Sequence, residues 1–205
     1  MLTVHHLGIS QSDRIVWLCE ELGLPYELIR YDRDPVTKMA PPAYKALHPS
    51  GTAPVITDGD VVLAESAAII DYIVAKFGDN RLTLSAHDPE FAHFVYWYHF
   101  ANGSLMPAIM GMASPGPIAD VMKARTDCAL AMLDAHLADR IWLAGDSFTV
   151  ADIMIAFPLT TMREFMPYDL SPYPNILAYL ARLGARPAFK SAIAKADPGL
   201  EIKLN

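Results

Sequence analysis

The chain has 205 residues, of which 53% are hydrophobic and only 19% charged, a balance that excludes a disordered polypeptide. At about 150 residues per domain the length allows one large or two small domains. Sixteen Lys and Arg against 23 Asp and Glu leave a formal charge of -7, the wrong sign for a protein that neutralises phosphates, so nucleic acid is excluded as a partner class.

Leu2 to Leu7 reads as a strand. Gly8-Ile9-Ser10-Gln11-Ser12-Asp13 follows, a loop rich in residue types that cap helices, and Ile15, Leu18, Cys19 and Leu22 then recur at helical spacing until Gly23. Tyr26 to Arg30 is a second strand, and Pro41 and Pro42 open a short helix that ends before Gly51. Pro54–Thr57 and Val61–Leu63 flank Asp58-Gly59-Asp60 as a hairpin, and Ile69, Ile70, Ile73, Val74 and Phe77 mark the buried side of the next helix. The predicted order is β-α-β-α-β-β-α over residues 1–78.

Residues 78–89 carry turn and cap types and read as a linker. Beyond it, over 89–205, only helical periodicities remain. They run from Pro89 into the Ser104–Pro107 region, from Ala119 to Ala138, from Thr149, and over 175–183 and 187–195. Thr149-Val150-Ala151-Asp152 has the spacing of a capping box, which assigns both side chains to structure. Phe91 to Ala119 contains no Asp, Glu, Lys or Arg and is long enough to span a bilayer. Pro107, Pro115 and Pro117 with His93, His99 and Asn102 fit a helix packed in protein instead, its outer side facing a partner subunit or an apolar ligand. The start of the chain has no basic flank before an apolar run, so the expectation is a cytoplasmic protein with no membrane association.

Cys19 and Cys128 alone cannot form a disulfide framework or a four-cysteine zinc site. The histidines offer no closely spaced pair with a carboxylate at ligand spacing, so no metal is expected, and His5-His6 are assigned to the first strand. Gly8-Ile9-Ser10-Gln11-Ser12 begins like a nucleophile elbow but lacks its second glycine, which argues against a serine hydrolase.

Three ordered blocks resemble the cytosolic glutathione S-transferases of the bacterial, serine-dependent type. They are Ser10 to Glu27, His48 to Gly59 and Leu63 to Tyr72; Gly145 to Ile153 is similar to that family's C-terminal folding signature. The resemblance implies an α/β plus all-α architecture, a thioredoxin-like glutathione-binding domain over 1–78 followed by an all-helical domain over 89–205. It also implies glutathione as co-substrate without a metal, an electrophilic or apolar second substrate as in detoxification, and a homodimer. Alternatives within the same fold are a non-catalytic interaction or ligand-carrier protein and a glutathione-dependent peroxidase or isomerase.

Each candidate residue can be weighed against that implication. A thiol near pKa 8.5 is a few per cent thiolate at neutral pH, and lowering it by about two units takes ~2.7 kcal/mol. A hydroxyl donating to the anion supplies about 1.5–3 kcal/mol and a helix N-terminus about 0.3–1 kcal/mol, which together suffice. The resemblance puts Ser10 in that role, with Ser12 as the rival and plain helix capping as the alternative use of either. It places Glu65 and Ser66 at the γ-glutamyl end of the tripeptide, where first-turn N–H groups and a hydroxyl suit a carboxylate. A generic Ala53–Pro54 bond would be trans. The thioredoxin-like resemblance makes it cis, turning the Val55 backbone toward the cysteinyl unit. Thr52 or Lys38 would meet the glycine carboxylate, although Thr52 departs from the Lys or Gln often found there. Tyr98, Asn102, Met106 and Met110 fall near one face of the uncharged helix and are the candidates for the second substrate's pocket.

Overall fold

The computed structural model describes residues 1–205. The alternation read from the first part of the chain is realised as β1 (Leu2–Leu7), α1 (Asp13–Leu22), β2 (Glu27–Tyr31), α2 (Pro42–Lys45), β3 (Val55–Asp58), β4 (Val61–Ala64) and α3 (Ser66–Phe77). The strands form one mixed sheet in the order β2-β1-β3-β4. β1 runs parallel to β2 and antiparallel to β3, and β3 pairs antiparallel with β4. Every residue of β1 is buried, as expected of a strand covered on both faces. α1 stops where Gly23 adopts φ 63°, and the Leu24 N–H then bonds to the Cys19 carbonyl to close the last turn.

The helical part comprises α4 (Phe91–Phe100), a π-helical turn (Ala101–Leu105), α5 (Met106–Gly111), α6 (Pro117–His136), α7 (Val150–Leu159), a 3-10 turn (Thr161–Glu164), α8 (Pro174–Ala185) and α9 (Pro187–Ala196). α7 is buried along its whole length and is the central helix of this part. Its start is the capping box read from the sequence. Asp152 is wholly buried and accepts from the Thr149 N–H at 2.8 Å, the Leu143 N–H at 3.1 Å, the Tyr179 hydroxyl at 2.8 Å and the Thr149 hydroxyl at 3.2 Å. Burial nevertheless pushes its carboxyl up to about 6. No helix is long and apolar enough to cross a membrane.

The chain divides into two compact units, Met1–Arg81 with Ala185–Glu201, and Leu82–Gly184 with Ile202–Asn205. α9 therefore belongs with the first unit, whereas the sequence reading assigned all of 89–205 to the helical domain. The reason lies on the outer side of α1. Trp17 meets the edge of Phe189 at 4.9 Å between ring centroids, Glu21 takes two hydrogen bonds from Arg186 at 2.6 and 2.7 Å, and Glu20 accepts from Ser191 and Lys195. These partners lie 165 or more positions away along the chain, beyond the reach of any local pattern.

Candidate active site

Three chain segments of the first unit converge where β1 ends. The first is the loop from Gly8 into α1. Ile9 holds a left-handed φ of 50°, and its N–H donates to Asp197 Oδ1 at 3.0 Å. Arg33 donates to the Gly8 carbonyl at 2.7 Å and to the Ile9 carbonyl at 3.0 Å, so the backbone leading to Ser10 is held from two sides. Ser10 itself is 5% exposed, with its Oγ 2.6 Å from the Leu7 carbonyl and 2.7 Å from Ser12 Oγ.

Ser12 occupies the N-cap position of α1 but makes no capping bond with its side chain. It is wholly buried, accepts from the Leu7 N–H at 3.1 Å, and lies 2.9 Å from His6 Nδ1. The other nitrogen of His6 meets Asp197 Oδ2 at 3.1 Å. Burial alone would raise the Asp197 carboxyl; the His6 hydrogen bond, the Ile9 N–H and the nearby Arg30 charge outweigh it and hold the group below its ordinary value.

The second segment is the start of α3. Glu65 is exposed and takes φ 74°, a left-handed conformation that costs a non-glycine residue about 1–3 kcal/mol and that persists mainly where function requires it. Ser66 beside it is buried and donates to Gln11 Oε1 at 3.2 Å. Arg14 Nη1 reaches the same oxygen at 2.7 Å, so Gln11 bridges the N-terminal ends of α1 and α3. The third segment is the Ala53–Pro54 bond, which is cis. Val55 next to it is buried and stands opposite both His5 and Ala64, which brings Pro54 alongside Glu65. The Tyr44 hydroxyl donates to the His5 carbonyl at 3.3 Å.

Ser10, Ser12, Ala53, Pro54, Val55, Glu65 and Ser66 are thus gathered at one end of the sheet. Lys38 is exposed at φ 59°, and its carbonyl accepts from the same Arg33 that braces Gly8 and Ile9. Thr52 is exposed, with its hydroxyl donated to Ser50 at 3.1 Å. Cys19 is no nucleophile, because burial and the neighbouring Glu20 raise its thiol to about 12.

In the second unit the four candidates for the second substrate's pocket, Tyr98, Asn102, Met106 and Met110, differ in exposure. Tyr98 and Met106 are buried, Asn102 is half-buried and Met110 is 58% exposed. The π-helical turn at Ala101–Leu105 interrupts the α-helical period between Tyr98 and Met110. Sequence reasoning also missed His6, Gln11, Arg33 and Asp197. His6 looked like strand filling, and nothing local links it to a carboxylate 191 positions onward.

Comparison with known proteins agrees over both units. A model of the glutathione S-transferase N-terminal domain matches residues 10–76, and one of the C-terminal domain matches residues 101–187. Glutathione S-transferase 3 of Schizosaccharomyces pombe is 34% identical over 218 residues, covering 96% of this chain and 88% of that protein. A glutathione S-transferase of Escherichia coli is 31% identical over 193 residues, with 88% of this chain and 91% of that protein covered. The crystal structure of a glutathione S-transferase from Actinobacillus pleuropneumoniae superposes with a TM-score of 0.88 at 36% identity, over 98% of this chain and 95% of that one.

Proposed function

The chain belongs to the glutathione S-transferase family and is a glutathione transferase, with glutathione as its co-substrate, and we propose that the Ser10 hydroxyl holds the bound sulfur as a thiolate. The observation that carries this reading is the pairing of two hydroxyls at the start of α1. Ser12 is wholly enclosed, which leaves Ser10 as the outer member that a ligand can meet. The thiolate then attacks an electrophilic, mostly apolar molecule. Conjugation is the favoured outcome over peroxide reduction or isomerisation, which use the same anion.

Glu65 and Ser66 take the γ-glutamyl end. Main-chain N–H groups at the first turn of α3 face the carboxylate, and the exposed Glu65 offsets the ammonium. The expectation for Val55 shifts by two residues. Its backbone is paired within the sheet on both sides, so the groups of Ala53, just before the ladder, are the ones left for the cysteinyl unit. Lys38 supplies charge for the glycine carboxylate in preference to Thr52, whose hydroxyl is engaged locally.

A homodimer completes the reading. The apolar side chains of Tyr96 on α4 and Met132 on α6 are exposed, and a groove of about 400 Å³ lies between the π-helical turn, α5 and α6. Sedimentation equilibrium should return twice the chain mass.

Kinetics of the Ser10→Ala and Ser12→Ala variants test the central assignment. Ser10→Ala should lower kcat about 10- to 100-fold while retention on immobilised glutathione persists, because a bond made mainly to the anion acts on rate. Full turnover in Ser10→Ala would remove the hydroxyl from the chemistry, and failure of the wild-type protein to be retained would favour a scaffold.

A further inference from the structure

The hydroxyl at Ser10 is the outer end of a buried chain of polar groups that runs through Ser12 and His6 to Asp197, with links of 2.7, 2.9 and 3.1 Å. The direction of each bond follows from the inner end. Asp197 accepts from the Ile9 N–H and lies near the Arg30 and Arg33 guanidinium groups, so it is a carboxylate and can only accept. His6 Nε2 must therefore carry a proton. In a neutral ring Nδ1 is then the acceptor, and the Ser12 hydroxyl donates to it. Ser12 Oγ keeps lone pairs for the Leu7 N–H and for Ser10. Ser10 directs its own proton inward, to Ser12 Oγ or to the Leu7 carbonyl. In this arrangement Ser10 meets a ligand as an acceptor, the opposite of what a thiolate needs.

We propose that Asp197, His6 and Ser12 form a proton relay that takes up the thiol proton of bound glutathione through Ser10. The inference rests on the reading that Ser10 faces the sulfur. The S–H bond breaks as its proton moves to Ser10 Oγ. The Ser10 proton passes to Ser12 Oγ, and the Ser12 proton passes to His6 Nδ1. Three hydrogen bonds end reversed, while the His6 bond to Asp197 keeps its direction: His6, now an imidazolium held by Asp197, donates to Ser12, Ser12 to Ser10, and Ser10 to the thiolate. No proton leaves the protein, and no other reactant is needed. The Asp197 carboxylate at one end and the Ser10 donor bond at the other both favour the transferred state. His6 and Asp197 are positioning residues here, acting on the sulfur only through the serines.

The decisive measurement uses the wild-type enzyme at pH 7.5, with the ring nitrogens of histidine labelled with ¹⁵N. Free protein should show His6 as the neutral tautomer protonated at Nε2. Saturating glutathione should convert it to imidazolium as the thiolate absorption appears near 240 nm, whereas S-methylglutathione should leave it neutral. A thiolate band with His6 still neutral would overturn the relay while leaving Ser10 in place. Absence of the band would instead sink the reading of Ser10 on which the relay depends. Asp197→Asn supplies a second readout. Its amide nitrogen must donate to Nε2, which forces the proton onto Nδ1 and blocks uptake. A folded Asp197→Asn should lose the thiolate band and at least tenfold in kcat, with KM for glutathione within threefold. An intact band in that variant would also overturn the proposal.

Discussion

Two helix starts in this protein are written in the same residue types and put them to opposite uses. At α7, Thr149 and Asp152 satisfy each other's backbone N–H groups, and Asp152 goes on to hold Leu143 and Tyr179. At α1, Ser12 sits in the equivalent cap position but turns its hydroxyl away from the helix toward His6, and Ser10 turns with it. The first arrangement is consumed entirely by structural hydrogen bonds and stabilises the fold. The second leaves the helix N-terminus uncapped by a side chain and sends its hydroxyls into a long-range polar chain. A cap residue left unused by its own helix is therefore a pointer to chemistry, whereas a consumed one points to stability.

Substitutions should separate the two starts. The largest effect belongs to Asp152→Ala, which strands several buried donors and should destabilise the protein by about 3 kcal/mol or more in urea unfolding. Its kcat per folded molecule should stay within twofold, and a large loss would mean that this cap also serves the chemistry. The pH dependence sharpens the point. The folded Asp152 carboxyl is raised from 3.8 to about 6, so its proton-linked contribution is fully present below pH 3.8 and is lost as pH rises through 6. The stability difference between wild type and Asp152→Ala should thus be larger at pH 3.5 than at pH 7.

A smaller effect is expected at α3. Glu65→Ala should raise the Kd for glutathione about tenfold by calorimetry and leave kcat at saturation nearly unchanged. Glu65→Gly should gain stability by relieving the left-handed φ of 74°, while losing the same affinity. Unaltered affinity in both variants would remove the residue from the site. The smallest change is that of Lys38→Ala, an exposed charge, with a Kd increase of no more than about threefold that vanishes at high salt. A salt-independent loss would point to a structural role of the turn instead.

Much of the fold was legible because its signals are local. The alternation of short apolar runs with helical spacings placed the elements from β1 to α3 in order, and the change of pattern after Phe77 separated strand-bearing from helical chain. The hydroxyl-rich loop before α1 and the Glu65-Ser66 pair were readable for the same reason. The differing exposure of Tyr98, Asn102, Met106 and Met110, and the π-helical turn within their span, were not legible because no residue type announces them. The proposed shift from Val55 to Ala53 depends on the sheet's pairing, which determines the main-chain groups that remain for a ligand.

What the sequence alone determined is the set of elements, the polar residues at their ends and the family to which that pattern belongs. These depend on spacing of a few residues, where propensity, capping and burial act directly. Only the tertiary structure decided that α9 returns to α1, that His6 is more than strand filling, and that Asp197 stands behind it. Those contacts join groups more than 160 positions apart, and their energies depend on desolvation and hydrogen-bond direction that exist only once the chain has folded.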